Sequence, residues 1–517
     1  MTRRFAALPA LLATLAAANS GAATVLPDGT YRYETSIAGR PVGGSTIVIR
    51  RKGDAIEIGE SASLMGQGLV SEREIVESTF ATTRYVASSG GKELAVTIDG
   101  SVAILSSGGQ SAKIEAAAGA PFLVSDNMVA GFAQIPAMLH VTGTKKLTFA
   151  CICGQYLALP IAVTAQSDGV ATILVQGQTG TLRFDPLTFV LARFDLPAQQ
   201  LSIVLRGSDA VPTALPSPAV ATPLPLPSAR YAARDVTVRA DDGVTLAATL
   251  TGPEASATPA AGLVFVHGSG CNDRDETIGP NKIFAQLANR LSNDGYAVLR
   301  YDKRSCGRSG GSFPVRSRLI ADALAAVAFL RRQPGVDPKR IFVLGHSEGG
   351  ELAPSVAIAD GKLRGIVLLA PPALPLEQLL LQQLLRNSPS AERAAQERIV
   401  RAELDAIAAG KKSGAGNAWL RSSFGIDPAA LIARVPCPIL IVQGTKDIQV
   451  LPADTPRLVN AARAAHRTVT VVMLDNDDHL FIGLDPAAAS TGAEYFTPAY
   501  LDPRLFEAIE SWLNVHA

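Results

Sequence analysis

The segment that decides the fold reads Ile341-Phe342-Val343-Leu344-Gly345-His346-Ser347-Glu348-Gly349-Gly350, four apolar residues that run into a Gly-x-Ser-x-Gly motif. A helix-compatible stretch, 351–353, follows it. This pattern is typical of a nucleophile elbow, in which a strand turns abruptly into a helix and leaves a strained serine at the tip. Glycines suit the two flanking positions, because a Cβ atom at either one would collide with its neighbours. The segment therefore predicts that Ser347 is a nucleophile.

Near-continuous apolar runs on both sides of the elbow predict buried strands. Such strands imply a sheet that is covered on both faces, which is typical of a parallel α/β architecture. Segments between them carry apolar residues at helical spacing, and Asp-Asp-Gly at 241–243 predicts an opening hairpin. The predicted strands are 263–266, 297–301, 341–344, 365–369, 439–442 and 469–474, and the predicted helices are 283–293, 319–332 and 348–359.

The residues between the strands at 365–369 and 439–442 are too many for a simple crossover. Two helices are predicted there, 376–385 and 391–409, and the first is strongly apolar on one side. An insertion over about 372–430 could cover the strand ends as a cap. The alternative, a helix pair that only packs against the domain, stays open.

The N-terminal part of the chain has a different pattern, and a length of 517 residues favours two domains. Residues 24–209 alternate between apolar and polar side chains and are interrupted by turn signals, which predicts an antiparallel β-rich domain. Its segment 121–140 is either helical or a broad loop. Closely spaced prolines predict an extended linker over 210–230. The α/β domain then occupies 231–517.

The first residues resemble a targeting signal. Arg3 and Arg4 precede the apolar run 5–18, which is too short to span a bilayer but fits a secretory signal peptide over 1–23. A twin-arginine signal also stays open. We therefore expect an exported protein, periplasmic or extracellular, with no integral membrane span.

Charge and motifs restrict the partners. A net charge of +1 gives no electrostatic case for a nucleic-acid partner. The sequence has no metal-ligand spacing and no Gly-rich phosphate loop, so neither a metal nor a cofactor is expected. The oligomeric state is left undetermined.

A serine hydroxyl is a poor nucleophile at neutral pH and needs a base and a group that orients the base. Asp447 follows the strand at 439–442, and His479 follows the strand at 469–474. Loops after parallel strands emerge on the same edge of the sheet as the elbow, so these residues are expected to complete a Ser347–His479–Asp447 triad. The weaker candidates are His346, His466 and His516 for the base, and Asp454, Asp477 and Asp478 for the acid.

The attack also needs donors for the negative oxygen of the tetrahedral intermediate. One expected donor is the backbone N–H of Glu348, which follows the nucleophile. The other is the backbone N–H of Ser269, in the loop His267-Gly268-Ser269-Gly270 after the strand at 263–266. His267 itself is interpreted as structural.

The motifs together resemble a known family. They are His267-Gly-Ser-Gly270, Asn272-Asp-Arg-Asp-Glu276, Tyr301-Asp-Lys-Arg304, Gly345-His-Ser-Glu-Gly-Gly350 and Asp478-His479. Over about residues 235–517 the chain is similar to the serine-dependent α/β-hydrolases, specifically their small carboxylesterases. The resemblance implies an α/β-hydrolase fold, the triad above and hydrolysis of acyl esters through an acyl-enzyme. It also implies that Asp302 and Arg304 form a structural ion pair. No family is recognised for 24–209.

The five cysteines allow disulfides in an exported protein. Cys271 and Cys306 lie beyond the C-terminal ends of strands that neighbour each other in the implied fold, so we hypothesise a disulfide that stiffens the oxyanion loop. Two free thiols are the open alternative. Cys151 and Cys153 are expected to be buried free thiols, because successive side chains on one strand face are poorly placed for a bridge. Cys437 is expected to be unpaired.

The sequence thus predicts an exported serine hydrolase that acts on a small-molecule acyl ester. A serine peptidase of the prolyl-oligopeptidase type is one alternative, although repeated propeller-blade motifs are missing. Another is a ligand-binding protein in which 24–209 carry the function and the hydrolase domain is a relic. The acyl chain, the alcohol and the role of the N-terminal domain are not determined by the sequence.

Overall fold

The computed structural model describes residues 24–517 except 65–66, 90–91, 108–109, 117–119, 125–128, 153–157, 176–177, 213, 219–220, 254–257, 387, 389 and 412–414. The predicted signal peptide, 1–23, lies outside the described residues. The described strands form a 15-stranded sheet, an eight-stranded sheet and a small two-stranded sheet. Among the described helices, none has both the length and the apolarity needed to cross a membrane.

The 15-stranded sheet contains the strands up to residue 209 and is antiparallel except where β9 and β10 pair. Its first and last strands, β1 and β15, pair with each other in the middle of the order β8-β7-β6-β5-β4-β3-β2-β1-β15-β14-β13-β12-β11-β10-β9. The predicted antiparallel β-rich region is confirmed. The strands are β1 Gly29–Ile37, β2 Arg40–Lys52, β3 Ala55–Leu64, β4 Gln67–Val76, β5 Ala81–Ser89, β6 Lys92–Asp99, β7 Val102–Ser107, β8 Gln110–Glu115, β9 Phe122–Val124, β10 Lys146–Ile152, β11 Ala158–Ser167, β12 Val170–Val175, β13 Gln178–Phe184, β14 Leu191–Leu196 and β15 Leu201–Asp209.

Two short helices, α1 Val129–Ala133 and α2 Ile135–Thr142, pack into the apolar core of this sheet. Segment 121–140, which the sequence left open, is therefore partly helical. The buried Glu60 carboxylate accepts the backbone N–H groups of Val129 and Ala130, each at 2.9 Å. Helix N-termini leave such donors unpaired within the helix. The carboxylate therefore satisfies buried polar groups that the apolar core cannot.

The eight-stranded sheet has the order β16-β17-β21-β18-β22-β23-β24-β25. Six neighbouring strands are parallel to one another: β21, β18, β22, β23, β24 and β25. At one edge, β16 and β17 form an antiparallel hairpin, and β17 pairs antiparallel with β21. The strands are β16 Ala232–Arg239, β17 Thr245–Gly252, β18 Ala260–Val266, β21 Ala297–Tyr301, β22 Val336–His346, β23 Gly365–Leu369, β24 Ile439–Gly444 and β25 Val469–Leu474, and β19 Thr277–Ile278 pairs with β20 Asn281–Lys282 in the small sheet.

Helices cover both faces of the eight-stranded sheet, as the apolar strands predict. One core contains residues of α4, α5 and α10, and a second core on the other face contains residues of α3 and α11. The predicted α/β-hydrolase fold is confirmed. The bounds of these helices are α3 Ile283–Asn293, α4 Arg316–Arg331, α5 Glu348–Asp360, α10 Thr455–Ala464 and α11 Pro503–His516.

The described part of the insertion between β23 and β24 contains four helices: α6 Leu376–Leu385, α7 Ser390–Ala408, α8 Ala415–Ser423 and α9 Pro428–Ile432. The first two coincide with the predicted helices, whereas α8 and α9 were not predicted. Apolar side chains of α6 and α7 form a small core of their own. We call residues 372–430 the cap.

The segment between β15 and β16 contacts both parts of the molecule. Arg50 of β2 donates a hydrogen bond to the carbonyl of Pro212. Further along, the hydroxyl of Tyr500 donates to the carbonyl of Pro225 at 2.9 Å. The N-terminal sheet also contacts the cap directly, because the Gln178 amide donates to the carbonyl of Leu384 at 3.3 Å.

Candidate active site

The elbow has the strained geometry that its sequence predicts. Strand β22 ends at His346, helix α5 begins at Glu348, and Ser347 between them has a φ of 52°. A Cβ atom added at Gly345 would lie 2.1 Å from the carbonyl oxygen of Gly349. Because side chains are excluded at this point, the chain can turn tightly enough to present the Ser347 hydroxyl.

The structure brings the three predicted triad residues together. The Ser347 Oγ lies 3.1 Å from Nε2 of His479, and Nδ1 of His479 lies 2.8 Å from Oδ2 of Asp447. Asp447 follows β24 and His479 follows β25, which are parallel neighbours in the sheet. The imidazole, with 3% of its surface exposed, is therefore held between the hydroxyl and the carboxylate.

The Asp447 carboxylate is held by several donors. Its Oδ1 accepts the backbone N–H groups of Gln449 and Val450 at 2.8 and 2.9 Å, and Oδ2 also accepts the Gln443 amide at 2.9 Å. Burial alone would raise the pKa of Asp447, but the interaction with His479 and these hydrogen bonds bring the pKa below its usual range. The group is therefore ionised at neutral pH.

The alternative bases lie elsewhere. His346 is buried beneath His479 with a ring-centroid separation of 4.9 Å, and it faces other partners than Ser347. The exposed His466 follows α10, and His516 lies at the end of α11 against Trp512.

The alternative acids also have other partners. Asp454 accepts the Gln382 amide, Asp477 pairs with Arg504, and Asp478 accepts backbone N–H groups of its own loop. Among the candidate acids in the described part of the chain, Asp447 is the one bonded to the His479 ring.

The predicted oxyanion donors lie at the same cavity as Ser347. Ser269 and Glu348 line the same cavity as Ser347. The loop that carries Ser269 is fixed at Gly268, whose N–H donates to Glu276 at 2.6 Å and whose carbonyl accepts the Lys303 ammonium at 2.9 Å. This fixed backbone is suited to hold a donor in place as charge develops.

An ion pair beside Ser347 was not predicted from the sequence. Lys303 contacts the Glu348 carboxylate at 2.6 Å, and the indole N–H of Trp419, on cap helix α8, donates to the same carboxylate at 2.8 Å. The cap is thus anchored to the residue that follows Ser347. The Lys303 and Glu348 positions lie inside the quoted motifs, but nothing in the sequence indicates their pairing.

A cavity of about 110 Å³ opens above Ser347, and the cap supplies much of its lining. Its walls are mainly apolar side chains together with a few polar groups. This combination is typical of small-molecule sites, where apolar walls bind and a few polar groups orient the ligand. The cap residues in the lining are Pro372, Leu374, Leu376, Leu379, Leu380, Gln383, Trp419, Ser423, Ile426 and Pro428.

The cysteines follow the expectations only in part. Cys271 and Cys306 form a disulfide with a Cα separation of 5.4 Å, and Cys437 is a buried free thiol. Cys151 is disulfide-bonded, so the free thiol expected there is wrong. That expectation assumed a regular strand through 151–153, whereas β10 ends at Ile152. Cys153 lies outside the described residues.

The ion pair implied between Asp302 and Arg304 is also wrong. Asp302 instead forms a bidentate salt bridge with Arg274, with both N–O distances at 3.0 Å. Arg304 pairs with Asp322 and Asp242. The two residues lie two positions apart after β21, but Asp302 pairs with Arg274 of a neighbouring loop and Arg304 pairs with Asp322 of helix α4. Both residues remain structural.

His267 is buried against the rings of Phe284 and Tyr301. Burial lowers the pKa of His267 to about 4, so its ring is neutral at neutral pH. This position fits the structural role that was expected for it.

Comparison with known proteins places the fold in a family. The model of the alpha/beta hydrolase family matches residues 263–490. Esterase EstD of Thermotoga maritima is 34% identical over 291 residues, which cover 54% of this chain and 67% of EstD. An uncharacterised protein of Mycobacterium tuberculosis is 29% identical over 288 residues, which cover 52% of this chain and 78% of that protein. An esterase structure from Pyrococcus furiosus has a TM-score of 0.38 and 18% identity, over 56% of this chain and 97% of that one.

The chain belongs to the α/β-hydrolase family. Among the proteins above, EstD has the highest sequence identity to this chain, and both EstD and the Pyrococcus furiosus protein carry an esterase name. The residues matched by the family model begin after the 15-stranded sheet, which therefore lies outside that match.

Proposed function

We propose that the protein is an exported serine hydrolase that cleaves carboxylic esters through an acyl-enzyme. The observation that carries the proposal is the continuous set of contacts from Ser347 through His479 to Asp447, at 3.1 and 2.8 Å. These distances are within hydrogen-bond reach, which a nucleophile and its base require. The likeness to EstD, an esterase by name, supports an ester as the substrate.

The geometry supports the following sequence of steps. His479 Nε2 takes the proton of the Ser347 hydroxyl as its oxygen attacks the ester carbonyl. The N–H groups of Ser269 and Glu348 stabilise the oxyanion of the tetrahedral intermediate. The intermediate collapses, the alcohol leaves with the proton from His479, and an acyl-serine remains. Water then attacks with His479 as base, which releases the acid and restores the serine.

Asp447 holds the His479 imidazole in orientation throughout these steps. Because its pKa lies below the usual range, the carboxylate remains ionised and stabilises the imidazolium that forms in each transition state. The apolar cavity above Ser347 suits the acyl or alcohol part of an uncharged ester.

Export is supported by the sequence pattern of residues 1–23 and by the Cys271–Cys306 disulfide, since disulfides persist mainly in oxidising compartments. Fractionation of cells that produce the full chain, with N-terminal sequencing of the mature protein, tests this part. Cleavage near residue 23 and recovery outside the cytoplasm are expected, and an intact cytoplasmic chain would refute export.

The peptidase alternative gains no support, since the described N-terminal strands form one continuous sheet rather than separate blades. A panel of chromogenic acyl esters with different chain lengths, together with peptide amides, tests the proposed reaction. We expect wild-type protein to hydrolyse esters and Ser347→Ala to lose this activity. Equal activity of Ser347→Ala would refute the mechanism.

A further inference from the structure

Two buried side chains beneath the triad connect three catalytic loops. Oε1 of Glu276 accepts the Gly268 N–H at 2.6 Å and lies 3.1 Å from Nδ1 of His346. On the other side of the same ring, Nε2 of His346 lies 3.0 Å from the backbone carbonyl oxygen of His479. One carboxylate oxygen and one imidazole thus join the oxyanion loop, the elbow and the loop of the proposed base.

The chemistry of these contacts fixes where protons must lie. A carbonyl oxygen only accepts hydrogen bonds, so Nε2 of His346 must carry a hydrogen to bond with His479. Nδ1 faces a carboxylate oxygen, and a hydrogen bond there needs one more proton between the two groups. The pair therefore holds one proton more than an ordinary neutral histidine beside an ionised carboxylate.

The surroundings favour placing that proton on His346. Glu276 and His346 are each 1% exposed, so neither group is solvated by bulk water. Burial alone would disfavour both charges, but their mutual attraction raises the pKa of His346 and lowers the pKa of Glu276. His267, the other histidine near Glu276, is neutral because burial lowers its pKa to about 4, and Asp447 adds a second negative charge near His346.

We propose that Glu276 and His346 form a buried ion pair that positions His479 and the oxyanion loop at the same time. This inference rests on the proposed function, because it assigns a role relative to the base His479 and the donor Ser269. Glu276 and His346 do not reach the substrate cavity and are positioning residues.

The two catalytic elements depend on this pair in different ways. The His479 ring is oriented by Asp447 at Nδ1, while its backbone is held from beneath by His346. Gly268 directly precedes Ser269, so its bond to Glu276 fixes the peptide next to the proposed oxyanion donor. Glu276 has a φ of 47°, a costly conformation for a residue with a side chain. The surrounding contacts therefore hold a strained backbone that aims the carboxylate at both loops.

The first test is kinetic and uses Glu276→Gln, which keeps the shape of the side chain and removes its charge. We expect kcat for an acyl ester to fall about 10- to 100-fold, because small displacements of catalytic groups have effects of this size. KM should change by less than about threefold, since the cavity walls are not altered. Asp322→Asn is the matched control, because Asp322 is equally buried and paired with Arg304 but does not contact the triad.

Equal kcat values for Glu276→Gln and Asp322→Asn would overturn the proposal. So would a loss that appears only in KM. Melting temperatures of both variants show whether a fall in kcat reflects folding, because a structural effect alone should lower both kcat and the melting temperature in the two variants alike.

The second test measures protonation directly and does not depend on catalytic activity. Side-chain ¹⁵N NMR of the wild-type protein near pH 7.5 reports the protonation of His346, assigned by its disappearance in His346→Gln. We expect both ring nitrogens to be protonated, and we expect this signature to persist in Ser347→Ala. A singly protonated, neutral His346 would overturn the ion pair. Because the NMR signature does not depend on turnover, a failure of the proposed function remains distinguishable: Ser347→Ala would then stay active while the His346 signature is unchanged.

Discussion

At Ser347 a residue with a side chain adopts a backbone conformation that usually belongs to glycine, with a φ of 52°. Such conformations cost about 1–3 kcal/mol and persist only where the surroundings enforce them. The enforcement is visible at Gly349, where an added Cβ atom would lie 1.9 Å from the carbonyl oxygen of Val266. The tight turn that results places the Ser347 hydroxyl within hydrogen-bond reach of His479.

Asp447 offers a test of the triad that leaves the serine in place. In Asp447→Asn the amide no longer stabilises the imidazolium or fixes the correct tautomer of His479. We expect kcat to fall about 10³- to 10⁴-fold with KM nearly unchanged, as measured by steady-state hydrolysis of a chromogenic ester. Asp427→Asn is the control, because asparagine can still cap α9 as Asp427 does. A fall of less than tenfold for Asp447→Asn would argue against its role.

His267 should affect how stability depends on pH. Its pKa is about 4 in the folded protein, against about 6.5 for an unperturbed histidine. Between these values the unfolded chain binds more protons, so the free energy of unfolding falls as the pH falls from about 6.5 to about 4, by roughly 3 kcal/mol from this residue.

Replacement by phenylalanine removes this contribution while it preserves the ring packing. Urea unfolding at several pH values should therefore give a smaller loss of stability in acid for His267→Phe than for wild type. Parallel pH profiles for the two proteins would contradict the assignment of a neutral buried ring.

The candidate triad residues could be named one by one from the sequence, whereas the contacts that support them could not. Ser347, Asp447 and His479 each follow a recognisable buried strand, and parallel strands deliver such residues to one edge. Glu276 and His346 are 70 positions apart, and each alone is compatible with an ordinary structural role. Their pairing depends on how two loops meet in space, which no local pattern encodes.

Among the elements, the Cys271–Cys306 disulfide connects the loop that carries Ser269 to the turn after β21. It closes a loop with a sequence separation of 35, for which loop-closure entropy gives a stabilisation of roughly 4 kcal/mol. We expect the double variant Cys271→Ser/Cys306→Ser to unfold at a lower temperature and to have a lower kcat, because the loop that carries Ser269 is less restrained.

The measurement is thermal unfolding with and without a thiol reductant. Reductant should lower the melting temperature of the wild type more than that of the double variant. The comparison between the two proteins separates this bond from the one at Cys151, which both proteins contain. Equal shifts in the two proteins would contradict a stabilising role for the Cys271–Cys306 bond.

The strands and helices of the hydrolase domain were largely predictable, because long apolar runs and helical spacing identify them. The lateral order, in which β21 lies between β17 and β18, was not predicted, since strand order depends on pairing between distant segments. The cap helices α8 and α9 were also missed. Both are short, nine and five residues, so each offers few positions from which a helical repeat can be recognised in the sequence.

Over the whole molecule, the N-terminal sheet contacts the cap and so connects to the cavity above Ser347. The contact is the hydrogen bond from Gln178 of β13 to the carbonyl of Leu384, near the end of α6. Carbonyls in the last turn of a helix have no partner within the helix, so the bond restrains the helix end. The sheet thereby stabilises one wall of the proposed substrate site.

Gln178→Ala should release this restraint. A lost hydrogen bond is worth about 1 kcal/mol, so amide hydrogen exchange in peptides covering 376–385 should become several-fold faster. Thr83→Ala is the control, because it removes a side-chain hydrogen bond elsewhere in the sheet, from Thr83 of β5 to the carbonyl of Glu74. Strand β5 is not a neighbour of β13, which contacts the cap. Unchanged exchange in α6 would show that the sheet does not restrain the cap.

The central claim is that Ser347 is the nucleophile of a serine hydrolase, and covalent labelling tests it most directly. A fluorophosphonate probe reacts with a serine that a neighbouring base has activated. Mass spectrometry of the labelled full chain should find one adduct, on Ser347, with no label in Ser347→Ala and greatly slowed labelling in His479→Ala. Ester hydrolysis without an adduct on Ser347, or with an adduct on another residue, would contradict the account.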